Sequence, residues 1–227
     1  MFGIRLILRK EEPQDYEIVE EVTRETFWNL HVPGCDEHYV AHQLRQADEF
    51  IPDLSYVAVV QEDGQEAQKI VGNIMYARAC IVDENGIAHK VGTFGPVSVL
   101  PSYQKRAIGK HLILHTLSIA RGMLSERYGS FRAILIYGYP DYYGKFGFKA
   151  AEDIGICGKD GYFIPALQYL ELEEGALRAI SGRFIEPSVY DIDHLAAAAY
   201  DLHFPPKQKG YKDSQARFQE MLSRAHK

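Results

Sequence analysis

Residues 97–110 read Val-Ser-Val-Leu-Pro-Ser-Tyr-Gln-Lys-Arg-Ala-Ile-Gly-Lys. Val97 to Leu100 is the tail of a β-type run, Pro101 and Ser102 are turn residues, and a helical pattern opens at Ile108. The stretch is a strand, a turn and the front of a helix. The first amides of a helix have no acceptor within it, and its aligned peptide dipoles put partial positive charge there. An anion, phosphate above all, is favoured at that point. Gly109 presents no side chain where a ligand would approach, and Lys105, Arg106 and Lys110 add cationic charge around the same turn. On the residues alone, a phosphate seat and an ordinary strand-to-helix turn both account for this stretch.

Working outward, the helix is expected over 108–123. Ile108, Leu112, Ile119 and Met123 lie on or near one stripe, with Ile113, Leu117, Ala120 and Leu124 beside it. Upstream, His89 to Leu100 is a strand carrying Gly95-Pro96, where the missing proline N–H predicts a bulge or splayed edge. Lys69 to Val82 and Ser55 to Gln61 are strands, with turns at Glu62-Asp63-Gly64 and Asp83-Glu84-Asn85-Gly86. Residues 3–9 are a first strand. An amphipathic helix over 15–28 follows, with Asp15 as its cap, then a short helix over 36–47. Downstream, Phe131 to Tyr137 is a buried-type strand, Asp141 to Phe146 a short helix or turn, and strands follow from Phe148 and over Tyr162 to Leu172. The order is α/β with a mixed sheet, and the unit at 91–137 is expected to be a right-handed crossover. Beyond Gly175 the character changes. A helix over 187–201 capped at Asp191 and another over 214–225 capped at Ser214 form an extension. The expected division is 1–174 as one domain and 175–227 packed on it.

The chain has 227 residues, 46% hydrophobic and 25% charged, enough apolar material for a core without metals or disulfides. A net charge of −6 does not attract phosphate backbones, so no nucleic-acid partner is expected, and an acidic face suits cationic acceptors such as amines. Cys35, Cys80 and Cys157 are few, odd in number and far apart, which suggests free thiols in a reducing compartment. No apolar run approaches the ~18 residues of a membrane span, so a cytoplasmic protein is expected. His111 and His115 have the spacing of metal ligands, but no third ligand is apparent and no metal is expected.

The segment 97–110 resembles the GNAT (GCN5-related) N-acetyltransferase superfamily. The family pattern is Gln/Arg-x-x-Gly-x-Gly/Ala after a strand often reading Val-x-Pro; here stand Val99-Leu100-Pro101 and Gln104-x-x-Ala107-x-Gly109. Ala107 replaces the usual glycine, which is tolerated if the backbone there is not left-handed. A second segment, Gly138-Tyr139-Pro140-Asp141-Tyr142-Tyr143-Gly144-Lys145-Phe146-Gly147-Phe148, is similar to the family's Tyr-x-x-x-Gly-Phe. It is closer still to a bacterial subgroup with Pro-x-Tyr-Tyr-x-x-Phe-Gly-Phe. The resemblance covers about 1–172.

The resemblance implies a mostly antiparallel central sheet flanked by helices, with a splayed pair of strands at 93–100 and 131–137. Acetyl-CoA is the implied acyl donor. Its pantetheine arm would bond to the backbone around Val97, Ser98 and Val99. The amides of Gln104, Lys105, Arg106, Ala107, Ile108, Gly109 and Lys110 would cradle its pyrophosphate, with Tyr142 also against the cofactor. Tyr143 matches the tyrosine that protonates the coenzyme A thiolate, with Tyr142 the neighbouring candidate if the register slips, and an amide near Val97 would serve as the oxyanion donor. Acetyl transfer to a primary amine of a small molecule or peptide, directly in a ternary complex, is the implied activity. The base is open among Glu25, His31, Tyr76, His89 and water relays. Members often form homodimers. A non-catalytic acyl-CoA-binding sensor or interaction module is the alternative, which Ala107 and the missing base carboxylate keep open.

Overall fold

Alternating apolar residues that pair two strands, and three- or four-residue spacings that bury one stripe of a helix, account for most of the elements. The computed structural model describes residues 4–62, 67–122 and 131–227. Gly3, Asp63, Gly64, Met123 and Leu124, named above, lie outside these residues. In chain order the elements are β1 (Ile4–Lys10), α1 (Tyr16–Phe27), α2 (Glu37–Leu44), β2 (Tyr56–Glu62), β3 (Gln68–Val82), β4 (Ala88–Val99), α3 (Ile108–Gly122) and β5 (Ala133–Tyr137). They continue with α4 (Pro140–Tyr143), β6 (Lys149–Ala150), β7 (Ile156–Cys157), β8 (Leu167–Glu171), β9 (Gly182–Ile185), α5 (His194–Asp201) and α6 (Asp213–Ser223). The sheet order is β1-β2-β3-β4-β5-β8-β6, with β9 pairing β3 and β7. Most pairings are antiparallel; β4 with β5 and β7 with β9 are parallel.

The chain forms two compact units, and β3, β4 and α3 each contribute residues to both. One holds the described parts of Met1–Met75, with Gly95–Thr116 and Ser188–Gln215. There β1, β2 and the start of β3 form an antiparallel ladder with Ile7 opposite Val59, and Val19 and Val22 of α1 pack on Val57, Val59 and Ile70. On the strand's other side, a methyl at Gly72 would lie 2.6 Å from the Ser98 carbonyl and 3.4 Å from Leu112 of α3, so only glycine lets these elements approach.

The second unit holds Tyr76–Phe94, the described parts of Leu117–Pro187, and Ala216–Lys227. Its core joins Ile81, Val91, Ala133, Leu135, Ile156, Leu167 and Phe184. Among the described residues β4 and β5 share one register pair, Gly92 opposite Ile134, as splayed strands require. A methyl at Gly92 would lie 2.7 Å from the Phe131 ring.

Several boundaries differ from expectation for local reasons. The strand from Phe148 is only the two residues of β6, because a 3-10 turn over Ala151–Ile154 closes at left-handed Gly155 (φ 72°). The strand over 162–172 begins at Leu167, after a turn in which Gly158 N–H donates to the Tyr162 carbonyl at 2.8 Å. The helix expected over 187–201 starts at His194. Asp193, not Asp191, caps it, accepting from Leu195 and Ala196 N–H at 2.9 and 3.1 Å. Ser214 falls inside α6 and does not cap it. Asp15 does precede α1, but its carboxylate accepts from the Glu12 amide (2.9 Å) and from Arg9 (2.5 and 2.8 Å) rather than from the helix. The short strands β7 and β9 carry no period for a sequence reading to find.

Candidate functional site

β4 ends at Val99, a 3-10 turn covers Pro101–Tyr103, and α3 begins at Ile108. The residues from Gln104 to Ala107 between them are exposed. The first helical bond runs from His111 N–H to the Ala107 carbonyl at 3.0 Å. Among the described residues the amides of Lys105, Arg106, Ala107, Ile108, Gly109 and Lys110 meet no acceptor. Six consecutive free donors at the head of a 15-residue helix form an anion seat of backbone nitrogens. No acidic side chain stands on this loop.

The loop's shape was not foreseen. Lys105 (φ 62°) and Ala107 (φ 63°) are both left-handed. The condition under which an alanine at 107 is tolerated therefore fails, and its methyl carries the conformational cost that glycine avoids. The Gln104 side chain turns back on the strand, its Nε2 donating to the Val99 carbonyl at 3.0 Å. Cationic side chains gather on Tyr103, whose ring centroid lies 5.3 Å from Arg106 Cζ and 5.6 Å from Lys69 Nζ.

Along the tail of β4, Gly95, Val97 and Val99 are partly accessible, while Pro96 and Ser98 are buried. The Gly95–Pro96 bond is cis. Ser98 faces inward, its hydroxyl donating to Thr23 Oγ1 at 3.1 Å. It has only its backbone to offer a ligand on the accessible side. Thr23 in turn donates to Asn73 Oδ1 at 3.2 Å.

Tyr142 and Tyr143 belong to the second unit. Tyr143 lies in an aromatic nest with Tyr142, Phe148 and Phe94 (ring centroids 5.0, 5.8 and 5.9 Å), and Phe94 meets Tyr76 at 5.0 Å. Gly138 passes so close to the Tyr143 ring that any Cβ would run into it. Among the described residues the Tyr143 hydroxyl has no partner. Burial, with Tyr142 adding, pushes its phenol well above the usual tyrosine range. At neutral pH it keeps its proton. Tyr142 is more exposed (39%), and burial shifts it the same way.

The structure disperses the base candidates. Glu25 accepts from Lys207 at 2.7 Å and lines a groove of about 680 Å³ with Arg9, Lys69, Leu100 and Ser102. His31 lies 3.3 Å from Glu37, Tyr76 is fully buried, and His89 sits 2.9 Å from Asp83 in a turn. His115 packs edge-on against Tyr56 at 4.8 Å. No group of three His, Cys, Asp or Glu side chains among the described residues could hold a metal ion.

Sequence reasoning missed a buried polar network in the first unit. Cys35 Sγ is 3.6 Å from His38 Nδ1, and His38 Nε2 is 3.1 Å from Asp201 Oδ1 without hydrogen-bond alignment. The composition suggests a thiol nucleophile, but the physics opposes it. Burial first, then the Glu37 and Asp201 charges, drive the Cys35 thiol far above its ordinary range, so thiolate does not form. Beside it, Glu20 collects Arg45 Nη1 (2.5 Å), His42 Nδ1 (3.1 Å) and the Tyr200 hydroxyl (2.6 Å). These are structural ties between α1, α2 and α5.

No family model and no curated protein matches the chain. Among solved structures, it aligns with a GNAT family N-acetyltransferase from Escherichia coli in complex with CoA. The TM-score is 0.69 at 18% identity, covering 84% of this chain and 94% of the other. The fold is that of the GNAT acetyltransferases. A GNAT family acetyltransferase from Brucella melitensis in complex with acetyl-CoA aligns with TM-score 0.62 at 27% identity, over 82% of this chain and 99% of that one. Among the described residues no helix is long and apolar enough to cross a membrane.

Proposed function

We propose that the protein is an N-acetyltransferase that moves an acetyl group from acetyl-CoA to a primary amine. The observation that carries this reading is the run of six unpaired amides from Lys105 to Lys110 at the head of α3. Such a seat suits a diphosphate, and the two structures of similar overall fold named above were solved in complex with CoA and with acetyl-CoA, which supports this reading. The catalytic domain is taken as 1–174, and a cytoplasmic, metal-free enzyme is the corresponding expectation.

Acetyl-CoA supplies an activated thioester, so this chain needs no nucleophile of its own. Its residues bind, orient and move protons. The amides from Gln104 to Lys110 hold the pyrophosphate, with Lys105, Arg106 and Lys110 adding charge. Backbone groups of Val97, Ser98 and Val99 offer strand-like bonds to the pantetheine arm, and Tyr142 gives it an aromatic contact. The Val97 amide donates to the carbonyl oxygen as it gains charge. The attacking nitrogen forms the new C–N bond as the C–S bond breaks. Tyr143 O–H supplies the thiolate's proton, and the proton lost by the amine passes through water, which restores the phenol.

Two measurements on the full chain test this reading. Calorimetry should show acetyl-CoA binding that Gly109→Glu abolishes, since a carboxylate at the helix head crowds and repels phosphate. Thiol release with small-molecule and peptide amines should show turnover. Binding without turnover would leave a non-catalytic acyl-CoA sensor; wild-type affinity in the Gly109 variant would dismiss the seat.

A further inference from the structure

The 188–201 segment, beyond the two family-like sequence motifs at 97–110 and 138–148, reaches back to the strand assigned above to the thioester. Tyr190, at the end of a 3-10 turn over Ser188–Tyr190, donates its hydroxyl hydrogen to the Gly95 carbonyl at 2.7 Å. The two residues are 95 positions apart. We propose that Tyr190 is a positioning residue for acyl transfer, acting through the Gly95 carbonyl to aim the Val97 amide. The inference rests on the acetyltransferase reading above.

Dihedral freedom decides what this hydrogen bond does. Gly95 has no side chain to lock its conformation, and the Gly95–Pro96 peptide has no N–H to pin it into a ladder. Gly95 and Pro96 therefore place fewer local restraints on the chain here than two ordinary strand residues would. A hydrogen bond to the Gly95 carbonyl fixes the plane of that peptide, because the six atoms around a peptide bond move together. The pyrrolidine ring then fixes φ of Pro96. Only ψ of Pro96 remains soft between the pinned plane and the Val97 N–H, the first donor after the proline. On the far side Val97 is followed by Ser98, which Thr23 holds at 3.1 Å, and by Leu100, whose N–H donates to the Val71 carbonyl at 2.8 Å. Val97 is thus held from both sides, and Tyr190 is a side-chain restraint on its upstream side, beside the pairing of β4 with β3.

The turn that carries Tyr190 is itself held. It packs against α2. The α5 helix that follows is tied down by the Arg24 pair with Asp201 (2.6 and 3.2 Å) and by Tyr200 on Glu20 (2.6 Å). A phenol on an anchored turn has little entropy left to lose, so its hydroxyl can hold the carbonyl through a catalytic cycle. Removing an oxyanion donor outright slows acyl transfer by roughly 10²- to 10³-fold. Loosening its aim should cost part of that.

The test is Tyr190→Phe in the full chain, which deletes one oxygen and keeps the ring. Expected is a fall in kcat of roughly tenfold or more, with KM for acetyl-CoA and calorimetric CoA affinity within about twofold. The melting temperature should shift by only a few degrees, the scale of one lost hydrogen bond. Hydrogen exchange at the Val97 amide should quicken in the same variant. Wild-type kcat, or kcat, CoA affinity and melting temperature collapsing together, overturns the positioning role. A wild-type protein that transfers acetyl to no amine overturns the function itself and this inference with it. An active wild type with an equally active Tyr190→Phe variant overturns this inference alone.

Discussion

The Arg24 guanidinium holds the Asp201 carboxylate through two bonds, Nε to Oδ1 at 2.6 Å and Nη2 to Oδ2 at 3.2 Å. The two residues are 177 positions apart. The Arg24 side chain is 3% exposed and Asp201's 19%. The guanidinium lies over the Trp28 and Phe204 rings at 4.4 and 5.4 Å. This ion pair joins α5 to α1, and it does so in surroundings where a lone charge is expensive.

Removing one partner should therefore cost more than the pair contributes. Asp201→Asn leaves a buried cation half-satisfied and is expected to destabilise by about 3–5 kcal/mol. The Arg24→Met/Asp201→Leu double variant removes both charges and should recover most of that loss. Urea unfolding of the three proteins checks this. A double variant less stable than Asp201→Asn would show that the pair itself, not the avoided orphan charge, stabilises the fold.

The left-handed backbone at Ala107 makes a second prediction. A non-glycine residue there costs roughly 1–2 kcal/mol. Ala107→Gly should raise stability by up to about 1 kcal/mol, because the looser unfolded chain offsets part of the relief. CoA affinity should hold or improve. Ala107→Val, β-branched at the same φ, should weaken CoA binding about tenfold by remodelling the loop. Calorimetry and thermal melts on both variants decide the matter, and tight binding by the valine protein would contradict it.

Tyr143→Phe should lower kcat by about 10²-fold, the lower end of what a general acid contributes, while CoA affinity stays within about twofold. Gly138→Ala offers an independent route to the same group, since its methyl would displace the Tyr143 ring. Loss of turnover in the first variant but not in the second would mean that the ring moves without consequence.

His38 should report on pH. Burial above all holds its imidazole below the ordinary value of 6.5, and Arg24 adds to this, while Asp201, Glu37 and Asp36 oppose it. The Cys35 thiol and the Tyr200 and Phe204 rings also face it. In the unfolded chain the group takes up a proton near 6.5; in the folded chain it does so only at lower pH. Its contribution is complete above the unfolded value and is lost as pH falls through the folded one. Wild-type stability should decline on acidification below about pH 6.5, and His38→Gln should flatten that slope. Equal slopes in denaturant unfolding from pH 7.5 down to pH 5 would refute the assignment.

The signals legible in the linear chain are local. A strand, a turn and a helix follow from the pattern over residues 97–110, and the segment 138–148 supplies a tyrosine, a glycine and aromatics at fixed offsets. Periods of two and 3.6, and glycine or proline punctuation, act over a few neighbours, so one chain displays them. Elements of two to four residues, as in β6, β7 and β9, are too short to display a period. The tertiary structure decided the rest. The left-handed turn at Ala107 is imposed by its neighbours on a residue that would not choose it. Arg24 and Asp201, and Tyr190 and Gly95, meet only after the chain has closed on itself. Partnerships between residues far apart leave no spacing to read, because their distance is set by packing and not by the order of the chain.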